Sequence, residues 1–247
     1  MLAKFYAPSG LSNGELDSTR QTNKSEIIFL ELAYNRTGNK NKRLNTSILI
    51  RYNCSGGRFN ILIDAGKYIK TLRWFPFYGL LNFQACLPIS LQVMQKTHYY
   101  LVDTSVIIPG AAVSDLQFNI IKEEPFTVHN LQITPLPVWH GPGYRSLGFR
   151  FGNVCYISDA SDIPEETYEL LTGCDLLIVT DRSSTTHFGL PRALQEVRRI
   201  QPKRTLFTGM MHLMDHDKVN EYLGSLMETE GLDIQLSYDG LRIPVSL

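Results

Sequence analysis

Residues 135–162 read PLPVWHGPGYRSLGFRFGNVCYISDASD, and the fold follows from how this stretch is divided. PLPVW, SLGFRF and NVCYIS are apolar or alternating runs of strand length, separated by Gly, Pro and Asn, which predicts three neighbouring sheet strands. His140 directly follows the first strand and precedes Gly141-Pro142-Gly143, and Asp159 directly follows the third. Polar side chains at strand ends, held by a rigid sheet and opening into loops, are where α/β folds assemble sites. The pair therefore reads as part of a metal centre, since imidazole nitrogen and carboxylate oxygen suit Zn²⁺, Mn²⁺ or Fe.

Working outward, the C-terminal side alternates helix and strand. Residues 164–171 form a helix with an acidic first turn, Ser161 or Asp162 as N-cap and Pro164 at the first helical position. For Asp162 this capping role is the preferred reading. CDLLIVT is a buried strand, PRALQEVRRI a helix with Leu194, Val197 and Ile200 on one face, and RTLFTG a strand. Residues 215–227 form a second amphipathic helix, capped by Asp215, with Val219, Tyr222, Leu223 and Leu226 on its inner face. The chain then returns to strand through a turn at Tyr238-Asp239-Gly240.

On the N-terminal side, IIFLELAY, LNTSILIRY and FNILIDAG are consecutive strands joined by turns, and residues 67–74 open a helix after Asp64-Ala65-Gly66. Asp64 reads either as a helix cap or as a carboxylate that orients metal-bound histidines from behind. Residues 84–124 carry no clear period. Residues 1–25 are polar and read as a disordered end, leaving residues 26–247 as a single domain. Strands followed by βα alternation predict helices packed on sheet faces, and two such halves make a four-layer αββα sandwich.

Length and composition agree. A chain of 247 residues, 43% hydrophobic, supplies one large core. The 24 basic and 24 acidic residues cancel, which argues against nucleic acid or an anionic membrane as partner. No apolar run reaches the roughly 18 residues of a membrane span, and no signal-peptide core opens the chain, so a cytoplasmic address is expected. Cys54, Cys86, Cys155 and Cys174 are scattered without a C-x-x-C pair, and Cys155 and Cys174 read as small buried hydrophobes. Dinucleotide and Walker motifs are absent from the sequence.

Two further strand ends bear histidines: His187 follows CDLLIVT and His212 follows RTLFTG. Taken singly, each is more simply a hydrogen-bonded structural residue; recurrence at four strand ends is what points to a site. His98 and His129 read as surface or strand residues.

The strings NKNKRLNTSILIRY, FNILIDAGKYIKTLRWFP, LPVWHGPGYRSLGFRFGNVCYISDASDIPEE, CDLLIVTD, THFGLPRALQEVRRIQPKRTLFTGMMH and YDGLRIP, in this order, resemble the metallo-β-lactamase superfamily, in its branch similar to the phosphodiesterase of the carbon–phosphorus lyase pathway. They cover most of residues 40–75 and 130–247. The resemblance implies the αββα fold and a metal site, with Zn or Mn, that hydrolyses small phosphodiesters by an activated hydroxide. It implies His140, Asp159 and His212 as metal ligands, with Asp159 bridging, and Asp64 as the non-ligand carboxylate behind them. His187 is implied as a general acid or phosphate contact, which with Asp159 makes up the catalytic pair.

One departure is prominent. The His-x-His-x-Asp-His string that supplies most ligands in the family does not occur; LLNFQACLPISLQVMQKTHYYLVD stands where it is expected, as if a segment had been removed. This leaves at most one ion's worth of ligands and predicts impaired hydrolysis. The alternatives are a catalytically inactive binding member or truncated variant and, more weakly, an RNA-processing nuclease.

Overall fold

The structure, a computed structural model, describes residues 3–8, 24–29, 48–55, 57–63, 80–86, 92, 95–96, 117–180, 187–210 and 214–247. Two seven-stranded sheets are formed by these residues. The first contains β1 (Ala3–Pro8), β2 (Ser25–Phe29), β3 (Ile48–Cys54), β4 (Gly57–Ile63), β5 (Leu80–Cys86), β6 (Gln117–Ile120) and β14 (Arg242–Val245), in the order β14-β2-β3-β4-β1-β5-β6. The second contains β7 (Phe126–Val128), β8 (Leu131–Trp139), β9 (Arg145–Phe151), β10 (Val154–Ile157), β11 (Leu176–Thr180), β12 (Arg204–Thr208) and β13 (Ile234–Leu236), in the order β13-β12-β11-β10-β9-β8-β7.

Local chemistry accounts for the second sheet's two halves. β7, β8, β9 and β10 are joined by short turns and pair antiparallel. The turn between β7 and β8 is made by His129 and Asn130, both at positive φ (49° and 65°), residues that tolerate the left-handed region better than most. β10 to β13 pair parallel, which requires crossovers long enough to hold a helix. These crossovers are α1 (Glu165–Leu171), α2 (Leu190–Ile200) and α3 (His216–Glu230). α2 begins with Pro191 in its first turn, where the missing N–H costs nothing. Asp215 caps α3 by accepting from the Lys218 amide, and Gly231 closes it in the left-handed conformation.

Burial divides into two layers. Ile27, Phe29, Ile48, Ile50, Ile61 and Ile63 of the first sheet pack against Ile133, Phe149, Phe151, Tyr156, Ile178 and Leu206 of the second. The opposite face of the second sheet, with Cys155, Ile157, Leu177, Val179 and Phe207, is covered by Leu171, Leu194, Val197, Leu223 and Leu226 from the three helices. The parallel strands are thus buried on both faces, which explains why β11 reads as an unbroken apolar run. The result is an α/β sandwich; the outer helical layer expected on the first sheet, including residues 67–74, lies outside the described residues.

Two expectations need correction. Ala3–Pro8, within the stretch read as disordered, is β1, antiparallel to both β4 and β5; pairing partners distant in sequence create this strand, and no local pattern announces it. Neither Ser161 nor Asp162 caps α1. Pro164 occupies the N-cap position with no side-chain capping bond, while Asp162 accepts from Arg192 at 2.8 Å and its backbone bridges Trp139. Cys155 and Cys174 are buried free thiols, as expected, and Cys54 is a half-buried one.

Candidate functional site

Three of the expected residues come together, two of them just after β8 and β10 and the third just before α2. His140 leaves β8 in a tight turn: its amide donates to the Tyr144 carbonyl at 2.9 Å, with Gly141 and Gly143 at φ 84° and 72°. Glycine meets that backbone requirement without strain. Asp159, two residues beyond β10, also has positive φ (49°), a conformation that costs a residue with a Cβ roughly 1–2 kcal/mol and is eased for Asp by local hydrogen bonding.

His187 lies just before α2, and its Nε2 donates to Asp159 Oδ1 at 2.9 Å. The His187 side chain is 12% exposed and the Asp159 side chain 33%, so solvent reaches this pair mainly from the Asp159 side. The imidazoles of His140 and His187 meet edge to face with centroids 4.8 Å apart. His140, Asp159 and His187, separated widely in sequence, therefore occupy one small volume. His212 and Asp64 lie outside the described residues. His129 is elsewhere, stacked on Phe59 with centroids 4.4 Å apart.

Beside His140 opens a cleft of about 340 Å³ lined by Trp139, Gly141, Pro142, Gly143, Ser161 and Asp162. The Arg145 guanidinium stands 5.0 Å from the centre of the Trp139 ring and pairs with Glu123 and Glu166. Arg192 links Asp162 to the buried Glu196, and Glu196 also accepts from the Tyr168 hydroxyl. Burial and the adjacent carboxylate push the Tyr168 hydroxyl pKa upward, so this group stays protonated. These surroundings were not singled out by motif. Trp139, Gly141, Pro142, Gly143, Ser161 and Asp162 are signalled by proximity to His140 and Asp159, whereas Arg192 and Glu196 carry no such signal.

His216 at the start of α3 approaches Asn220 through Nδ1 at 3.3 Å, while its Nε2 is buried without a hydrogen-bond partner among the described residues. Among the described residues, no group of three or more His, Cys, Asp or Glu side chains is arranged to hold a metal ion. Nor is any helix among them long and apolar enough to cross a membrane.

Comparison with known proteins bears on this arrangement. The sequence profile of the beta-lactamase superfamily domain matches residues 83–210, over half of the chain. A diphosphatase from the PhnP family superposes with a TM-score of 0.69 at 19% identity, covering 91% of this chain and 99% of that one. The metallo-beta-lactamase fold protein YhfI from Bacillus subtilis superposes with a TM-score of 0.52 at 12% identity, covering 90% and 100%. An octanoyltransferase of Porphyromonas gingivalis (strain ATCC BAA-308 / W83) is 27% identical over 142 residues, 55% of this chain. That stretch is 28% of the relative, so the chain spans under a third of its length. The paired sheets, the helices on one of them and the profile over half of the sequence lead to one conclusion: the chain belongs to the beta-lactamase superfamily, with the metallo-β-lactamase fold.

Proposed function

We propose that the chain is a metal-dependent hydrolase of small phosphodiesters, working below the capacity of two-ion members of its superfamily. The observation that carries this reading is the convergence of His140, Asp159 and His187, with Asp159 hydrogen-bonded to His187 at 2.9 Å and the two imidazoles 4.8 Å apart. The donor types fit a single Zn²⁺ or Mn²⁺ ion held by His140, Asp159 and His212, with a position left for water. They do not fit two ions, since the sequence has no His-x-His-x-Asp-His string. A bound ion supplies Lewis acidity toward a phosphoryl oxygen and lowers the pKa of water.

The chain's own side chains supply the rest. Asp159 accepts from His187 Nε2, so one carboxylate serves as ligand and also orients the imidazole that passes a proton to the leaving oxygen. The cleft beside His140 gives a small ester group access, and its Gly141-Pro142-Gly143 wall lets a substrate approach bare backbone. The diphosphatase with the same fold supports phosphoryl hydrolysis as the class of chemistry at this site. The chain's zero net charge gives no support to a nucleic-acid substrate.

The missing string favours a second reading, a non-catalytic member that keeps the fold for binding. Hydrolysis of bis-p-nitrophenyl phosphate with added Mn²⁺ or Zn²⁺, in the protein and in Asp159→Ala, separates the two. The proposal expects turnover that depends on Asp159, and equal rates would overturn it.

A further inference from the structure

The loop after β10 does more than deliver Asp159. Trp139, the last residue of β8, donates from its amide to the Asp162 carbonyl at 2.9 Å. Its carbonyl accepts from the Ser161 amide at 2.6 Å and from the Asp162 amide at 3.4 Å. The Ser161 hydroxyl adds two bonds: it donates to the Trp139 carbonyl at 3.1 Å and accepts from the Gly141 amide at 2.8 Å. One side chain therefore holds the backbone on both sides of His140, using the donor and an acceptor of its hydroxyl. On the other side, the Ala160 carbonyl accepts from the Phe188 amide at 2.7 Å, next to His187.

We infer that Ser161 is a positioning residue that fixes His140 relative to Asp159 and His187. Ser161 does not cap α1, which starts at Glu165 without a side-chain cap, so its hydroxyl is not committed to the helix. Its hydrogen bonds run to the backbone around His140, and this backbone staple sets where the imidazole stands with or without a bound ion. The inference builds on His140 and Asp159 as ligands, but its first test needs no metal. Groups that orient ligands in this indirect way are worth about 10–100-fold in metal affinity.

The test compares the protein with Ser161→Ala and Ser161→Thr, which keeps the hydroxyl. In metal-free protein, nuclear Overhauser contacts between the His140 and His187 rings, and hydrogen exchange at the Gly141 amide, report the staple directly. Ser161→Ala is expected to lose the ring contacts and to exchange Gly141 faster, with Ser161→Thr restoring both. In a chelator competition with Zn²⁺, Ser161→Ala is expected to bind about 10–100-fold more weakly. Ring contacts that persist in Ser161→Ala, or unchanged zinc affinity once they are lost, would overturn the inference. Should Ser161→Ala not fold, Ser161→Cys, whose thiol is a poor donor, is read in the same way. Absence of zinc binding in the unmodified protein would defeat the proposed hydrolase alone, and the metal-free contacts would still decide the role of Ser161.

Discussion

His187 Nε2 lies 2.9 Å from Asp159 Oδ1 although 28 positions separate the two residues in the sequence. The bond ties the residue assigned to proton transfer to the residue assigned to the metal, and the two roles separate by substitution. His187→Gln is expected to lower turnover of a phosphodiester by about 10²–10⁴-fold, the usual worth of a positioned acid. Metal content should stay near that of the parent protein. Parallel rate and metal measurements check this, and joint loss of both would make His187 a ligand.

Gly148 in β9 meets β10 so closely that a Cβ would stand 2.6 Å from the Tyr156 carbonyl oxygen and 3.0 Å from Ile157 Cγ1. The obstacle is partly backbone and cannot swing aside. Gly148→Ala is expected to destabilise by about 1–3 kcal/mol through overpacking, read as a lower denaturant midpoint. An unchanged midpoint would mean that β9 and β10 can part without cost.

Thr167 is fully buried in α1, and its hydroxyl donates to the Pro137 carbonyl at 2.6 Å. This bond anchors the helix to the strand that carries His140. Thr167→Val keeps the volume and removes the donor, so it is expected to cost about 1–3 kcal/mol. Equilibrium unfolding in urea provides the comparison.

How far the site was legible in the sequence depends on the distance over which its determinants act. β8, β9 and β10 announce themselves by alternation and by the glycines between them, and Asp215 announces α3 by standing before a regular apolar face. His140 and Asp159 stand out in the sequence because the ends of β8 and β10 are marked by local pattern, whereas His187 lies just before α2, away from any strand end. β1 was not found, because Ala3–Pro8 becomes a strand through partners at Leu80–Cys86 and Gly57–Ile63. Asp162 was misread for a related reason: carboxylates before a helix commonly cap it, but here Arg192, thirty residues later, takes the side chain. The bonds of Ser161 to either side of His140 likewise depend on tertiary contact.

His129 has its pKa held below the ordinary histidine value by burial, in the turn where it stacks on Phe59. Its folded pKa is thus lower than its unfolded one of about 6.5, so the unfolded chain binds more protons in this window. The contribution is complete above the unfolded value and is lost as pH falls through the folded one. His129→Asn, which accepts the left-handed turn and does not titrate, is expected to flatten the decline of stability on acidification below about pH 6.5. Superimposable pH profiles of the unfolding midpoint would remove His129 from the explanation.

Metal content tests the central claim most directly. Protein loaded with Zn²⁺ or Mn²⁺ and freed of excess is expected to retain about one ion per chain by elemental analysis, and Asp159→Ala and His140→Ala are each expected to release it. A parent protein that retains no ion, or variants that retain as much as the parent, would contradict the assignment of His140 and Asp159 as a metal site.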